Sequence, residues 1–153
     1  MITHVFLDLD GVISDFHSLY GNYSKEEWID EFPKFVYRGG FATLDKLKDA
    51  DELMSFLDSL NVPITILSSA GGFPDLYHDI VIQKHQWLAN HNIKYPALVV
   101  PSKGYKANYA LRGHLLIDDQ QINCHEFWKM GGMSIQHVSA EATIERVKEI
   151  NFI

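Results

Sequence analysis

The chain contains a single cysteine, Cys124, so no disulfide can form within it. One thiol fits a reducing compartment, and its ordinary role is that of a small buried apolar group. Long hydrophobic runs are missing too, and nothing approaches the roughly 20 apolar residues of a membrane-spanning helix. The N-terminal run Ile2-Thr3-His4-Val5-Phe6-Leu7 is cut off by Asp8 and Asp10 and has no basic leader, which argues against a signal peptide. The expectation is a cytoplasmic protein, complete from Met1, with no membrane partner. Positive charge is in deficit as well: 13 Lys and Arg against 20 Asp and Glu give a formal net charge of −7. A polyanion would be repelled at a distance, so no stable nucleic-acid binding is expected, and a small anionic ligand would need a local cationic site. Repeats and low-complexity segments are absent.

What is present is enough apolar mass for one domain over 1–153, with 46% hydrophobic and 12% aromatic residues. Four short apolar runs, at 4–7, 64–67, 97–100 and 115–117, each end in polar or small residues, and a weaker fifth lies at 133–138. Short continuous runs of this kind are strands buried on both faces. Amphipathic segments within 44–60, from about 75 to 91, and at 103–112, 125–130 and 140–150 separate or follow them and read as helices. The alternation predicts an α/β fold, a Rossmann-like parallel sheet flanked by helices. Residues 15–42 break the pattern, with aromatics set among Gly, Pro and charged residues, and predict a small helical cap inserted after the first strand. Its two compatible roles are a satellite hydrophobic cluster and a lid.

In a parallel sheet, ligand sites lie at the carboxyl ends of the strands. The residues there are Asp8 and Asp10, Ser68 and Ser69, Ser102 and Lys103, and Asp118 and Asp119. Asp8 and Asp10 share a side if the strand conformation persists, and their repulsion is relieved by a cation or by protonation of one of them. A hard divalent ion with oxygen ligands, Mg²⁺, suits them, and Gly11 allows a sharp turn beside the ligand. Ser68-Ser69-Ala70-Gly71-Gly72 offers hydroxyls and free amides to a phosphate oxygen. Lys103, directly after the third run, is the preferred cation for such a phosphate, and Lys106, a turn further on, is the alternative. Asp118 and Asp119 end a buried run and need a cation or hydrogen-bond partners, with Asn123 positioned to meet a metal-bound water. None of His78, His85, His91, His114, His125 and His137 falls in a short metal-ligand pattern.

Taken together these residues resemble the haloacid dehalogenase (HAD) superfamily. Its four motifs match DLDGV from Asp8, ILSSA with Ser68, PSKGYK with Lys103 or Lys106, and LLIDDQ with Asp118 and Asp119. The resemblance implies a phosphatase in which Asp8 attacks phosphorus and Asp10 serves as acid and base. It also implies Mg²⁺ held by Asp8, the main-chain carbonyl of Asp10 and Asp119, with Asp118 orienting that shell, and Ser68, Ser69 and the lysine on the phosphate. Within the superfamily, DLDGVISDF, GGFATLDKLKDADEL, ILSSA, KHQWL and LLIDD resemble the 5'(3')-deoxyribonucleotidases and their phage and bacterial relatives. That narrower similarity implies a nucleotide substrate, with Phe16, Trp28, Tyr37 or Phe41 available to stack on a base. The second motif departs from the nucleotidases' usual Thr-Ser-Pro, reading Ser68-Ser69-Ala70. The alternatives are a phosphatase for a sugar phosphate or a nucleic-acid 3'-phosphate, and a non-catalytic binding module on the same fold. Loss of Asp8, Asp10 or the terminal acidic pair would mark the last, and none is lost.

Overall fold

The computed structural model describes residues 1–151. Its strands are β1 (His4–Leu7), β2 (Ile64–Ser69), β3 (Ala97–Val100), β4 (His114–Asp118) and β5 (Met133–Gln136). All pair in parallel, in the order β3-β2-β1-β4-β5. The helices are α1 (His17–Tyr20), α2 (Lys25–Tyr37), α3 (Ala50–Asp58), α4 (Tyr77–Asn90), α5 (Gln121–Lys129) and α6 (Ala140–Asn151). None of the described helices is long and apolar enough to cross a membrane. The order of the sheet reverses at β1, with β2 and β3 on one side and β4 and β5 on the other, so a crevice opens beyond the carboxyl end of β1.

Strand periodicity divides the core. Val5, Leu7, Ile64, Ile66, Leu115 and Ile117 pack on one face with Leu53 and Leu57 of α3 and Val147 of α6. Their neighbours Phe6, Leu67 and Leu116 point to the other face, where Phe127 of α5 covers them. A third cluster joins Phe32, Phe35 and Val36 of α2, and Phe41, to Leu76, Ile80 of α4 and Val99. The segment after β1 is thus a helical cover seated on α4. Ser24 caps α2 by accepting from the Glu27 N–H while the Glu27 side chain accepts from the Ser24 N–H, the reciprocal pair that satisfies two free donors of a first turn.

The spacing places the first long helix within 44–60, and α3 lies inside those bounds, at Ala50–Asp58. The backbone before it is engaged elsewhere: Asp15 N–H donates to the Asp45 carbonyl at 2.8 Å, and Leu47 N–H donates to the Ile13 carbonyl at 2.9 Å. Leu44 and Leu47 still pack on the core, so their spacing reflected burial and not helix. The segment 103–112 forms a 3₁₀ turn over Lys103–Tyr109 in place of a longer helix.

Leu53 sits fully buried where α3 meets the sheet. Leu53→Ala is expected to cost about 2–5 kcal/mol of stability through lost burial and a residual cavity. Urea denaturation measures it, and a loss well under 1 kcal/mol would mean that α3 does not support the sheet in this way.

Candidate active site

The crevice at the carboxyl end of β1 is a cavity of about 530 Å³. Asp8, Asp10, Ser68, Ser69, Lys103, Lys106, Asp119 and Asn123 line its floor and rim. Phe16, Tyr20, Trp28, Phe32 and Phe41 from the cover, with Phe73, supply aromatic walls. Tyr37, by contrast, is exposed and away from the cavity. Asp8 follows β1 and is held in the sheet by its N–H, which donates to the Ile117 carbonyl at 2.9 Å. The chain then turns tightly, with the N–H groups of Val12, Ile13 and Ser14 all directed at the Leu9 carbonyl. Gly11 sits in this turn at φ +81°, and a Cβ there would collide with the Asp119 carboxylate and the His17 ring.

Lys106 is 2% exposed, and its Nζ donates to Asp8 Oδ1 at 2.9 Å and to Asp118 Oδ2 at 2.7 Å. Lys103 stays exposed at the cavity rim. The preference for the lysine nearest β3 therefore does not match the geometry, and the reason is topological. The chain leaves β3 at one side of the sheet and must cross β2 and β1 to enter β4, so the residue further along the turn comes nearer to Asp8. Burial pushes the Asp8 pKa well above its usual range; Lys106 opposes that shift, and Asp118, Asp119 and Asp10 reinforce it. Burial lowers the Lys106 pKa, but the charges of Asp8 and Asp118 outweigh it and the net shift is upward. Two carboxylates thus hold this lysine in its cationic form.

A second buried lysine escaped the sequence reading. Lys84 of α4 is 1% exposed, and its Nζ donates to Asp10 Oδ2 at 2.8 Å, Ser68 Oγ at 2.7 Å and the Ser69 carbonyl at 2.8 Å. Ser14 Oγ donates to the other Asp10 oxygen at 2.9 Å, so Asp10 is held from two sides. A signal for Lys84 existed: it falls at helical spacing between Ile80 and Leu88, inside an apolar stripe where a lysine has no solvent to reach.

The acidic pair at the end of β4 differs in its bonding. Asp118 is fully buried, with Oδ1 accepting from the Gln120 N–H at 2.9 Å and Oδ2 accepting from Lys106 and, at 3.1 Å, from Asn123 Nδ2. Asp119 lines the cavity, and its Oδ1 is buried without a partner, as is Asn123 Oδ1. Ligand atoms of Asp8, Asp118 and Asp119 lie within 4.8 Å of one another, a group that can hold a metal ion. Four carboxylates, those of Asp8, Asp10, Asp118 and Asp119, face two buried lysines, and one divalent cation would balance the charge. An all-oxygen donor set with unpartnered acceptors fits a hard cation. His17 of α1, the other site residue not anticipated, lies with its Nε2 2.5 Å from Asp119 Oδ2.

Two outcomes follow for the charged groups. Lys106→Met leaves Asp8 and Asp118 buried without their cation and is expected to cost about 3–5 kcal/mol, whereas Lys103→Met should stay within about 0.5 kcal/mol; chemical denaturation separates them, and equal effects would contradict the geometry. For Asp8, the folded-state pKa lies above the unfolded value, so its contribution is fully present below about pH 3.8 and is lost as pH rises through the folded value. In EDTA, Asp8→Asn is therefore expected to melt above the unaltered chain by a margin that widens from about pH 4 toward neutrality, at about 2–4 °C per kcal/mol. A margin that narrows with rising pH in thermal melts would contradict the shift.

No protein-family model matches the chain, and no curated protein sequence matches it. Solved structures do. The chain is similar to a HAD-superfamily hydrolase from Ehrlichia chaffeensis, with TM-score 0.56 and 11% identity over 99% of each chain. It is similar to a HAD family enzyme from Bacteroides thetaiotaomicron in complex with magnesium and inorganic phosphate, with TM-score 0.53 and 13% identity over 91% of this chain and 96% of that one. A third is D,D-heptose 1,7-bisphosphate phosphatase from Burkholderia thailandensis, with TM-score 0.51 and 12% identity over 85% of this chain and 74% of that one. At such identities the similarity speaks for architecture: the chain has the α/β fold of the HAD-superfamily hydrolases.

Proposed function

We propose that the chain is a Mg²⁺-dependent phosphomonoester hydrolase acting through an aspartyl-phosphate on Asp8. The observation that carries this reading is a buried Asp8, bonded to Lys106, on the floor of a cavity it shares with Asp119, whose Oδ1 has no partner. Asp8, the main-chain carbonyl of Asp10 and Asp119 would hold the cation, and Asp118 would keep Lys106 and Asn123 in position. When bound, Mg²⁺ would offset the negative charge of the phosphoryl oxygens and of the surrounding carboxylates. An oxygen of Asp8 forms the new bond to phosphorus as the bond to the leaving oxygen breaks, and Asp10 gives that oxygen its proton. Asp10, now a carboxylate, takes a proton from water, whose oxygen attacks the same phosphorus and releases inorganic phosphate and Asp8. Lys106 and the hydroxyls of Ser68 and Ser69 stabilise charge on the transferred group, with Lys103 at the rim. Lys84 and Ser14 keep Asp10 oriented for both proton transfers.

The substrate is proposed to be a nucleoside monophosphate, as for a 5'(3')-deoxyribonucleotidase. Support comes from the aromatic walls above the acidic floor, where Phe16, Trp28 and Phe41 line the cavity, and from a volume suited to a small ligand. A sugar phosphate is the second reading, favoured by the similarity to the heptose bisphosphate phosphatase. A nucleic-acid 3'-phosphate fits less well with the net charge of −7.

With Mg²⁺ the protein should hydrolyse p-nitrophenyl phosphate, EDTA should abolish the reaction, and Asp8→Asn should lower kcat by about 10⁴-fold or more. Full activity in that variant would remove the nucleophile assignment. A panel of phosphomonoesters compared by kcat/KM tests the substrate: nucleoside monophosphates should lead, and no preference over sugar phosphates would remove the nucleotidase reading.

A further inference from the structure

We infer that His17 is a positioning residue for the cation site, tying the first helix of the cover to Asp119. The inference rests on the reading of Asp119 as a cation ligand. His17 Nε2 lies 2.5 Å from Asp119 Oδ2, across 102 positions of sequence. A carboxylate oxygen only accepts, so Nε2 carries the hydrogen and donates it whatever the charge on the ring. That nitrogen is then not a ligand itself, and the imidazole acts through the carboxylate.

The contact divides the labour of the two Asp119 oxygens. Oδ2 is committed to His17, while Oδ1 is buried with no partner. Without the histidine the carboxylate could rotate and exchange its oxygens, and cation binding would have to stop that motion. With it, one oxygen is already set aside for the ion.

Packing alone does not account for the contact. The His17 side chain is 57% exposed, so burial does not hold the ring over Asp119. Its neighbour Phe16 does fix the start of α1, stacking on Phe41 at 5.6 Å and meeting Trp28 edge-on at 5.6 Å. Beneath the pair, Gly11 leaves the space that a Cβ would take from both partners. Three separated positions, 11, 17 and 119, are thus fitted to one another. Cover and cation are coupled through a single hydrogen bond: seating α1 prepares Asp119, and a cation on Asp119 favours the seated cover.

The test uses calorimetric titration of Mg²⁺ into the full chain free of phosphate, for the unaltered protein, His17→Ala and His17→Gln. His17→Ala should weaken Mg²⁺ binding by about 10-fold or more, the range found when a residue orienting a metal ligand is removed. His17→Gln, whose amide N–H can still donate, should recover most of that loss. Melting in EDTA should be the same for all three, because the ring is exposed. In turnover assays the His17→Ala deficit should shrink as Mg²⁺ is raised. Equal or tighter Mg²⁺ binding by His17→Ala would overturn this inference alone, as would failure of Gln to restore binding. An unaltered chain that binds no Mg²⁺ would overturn the cation reading with it, a result distinct from absence of phosphatase activity.

Discussion

A buried lysine between two aspartates is the constraint on which the crevice depends. Lys106 lies between the ends of β1 and β4 and donates to Asp8 and Asp118. The register pairs Leu7 with Ile117, which puts the residues after them side by side. Remove the lysine and two carboxylates would share a site that water barely reaches. Buried ion pairs of this kind rarely stabilise a fold more than well-packed apolar groups of similar volume would. The arrangement is better understood as a local electrostatic compromise, in which the carboxylates remain in excess and an added cation has a place.

The second buried lysine links that floor to the cover. Lys84 bonds Asp10, Ser68 and Ser69, and it also lies 4.8 Å from the centre of the Phe41 ring. Gln83, its neighbour on α4, accepts from the Phe41 N–H at 3.1 Å and donates to the Val36 carbonyl at 2.6 Å. One helix turn therefore grips the acid–base candidate below and the aromatic wall above. His17 makes the corresponding link on the other side of the cavity, from α1 to Asp119. A shift of the cover would disturb both carboxylates, which gives a physical route from ligand enclosure to the chemistry proposed at Asp8.

Much of the sheet was legible because its signal is local. A strand buried on both faces has to be a short apolar run, and the central β1 matches the run at 4–7 residue for residue; β3 matches 97–100 in extent, although at the sheet edge its Leu98 is exposed. Helix limits were less legible. At 44–49 the apolar spacing persisted while the backbone hydrogen bonds went to the loop after β1, so burial and helix parted company. A helical stripe reports which side chains face the core; it does not report where their backbone bonds go.

The same division runs through the site. By its own order, the chain determined that acids, hydroxyls and a lysine would follow successive strands of a parallel sheet and meet at one edge, because the carboxyl ends of parallel strands all lie on one side. Only the tertiary structure puts Lys106, and not Lys103, against Asp8, because that depends on how the chain crosses from β3 to β4 and not on distance from a strand end. It also decided that Asp119 keeps a free oxygen while Asp118 is fully bonded, and it brought Lys84 to Asp10 and His17 to Asp119, contacts that the order of residues along the chain does not reveal. Charge compensation in a buried site is a property of neighbours in space, and Lys106 and Asp8 lie 98 positions apart.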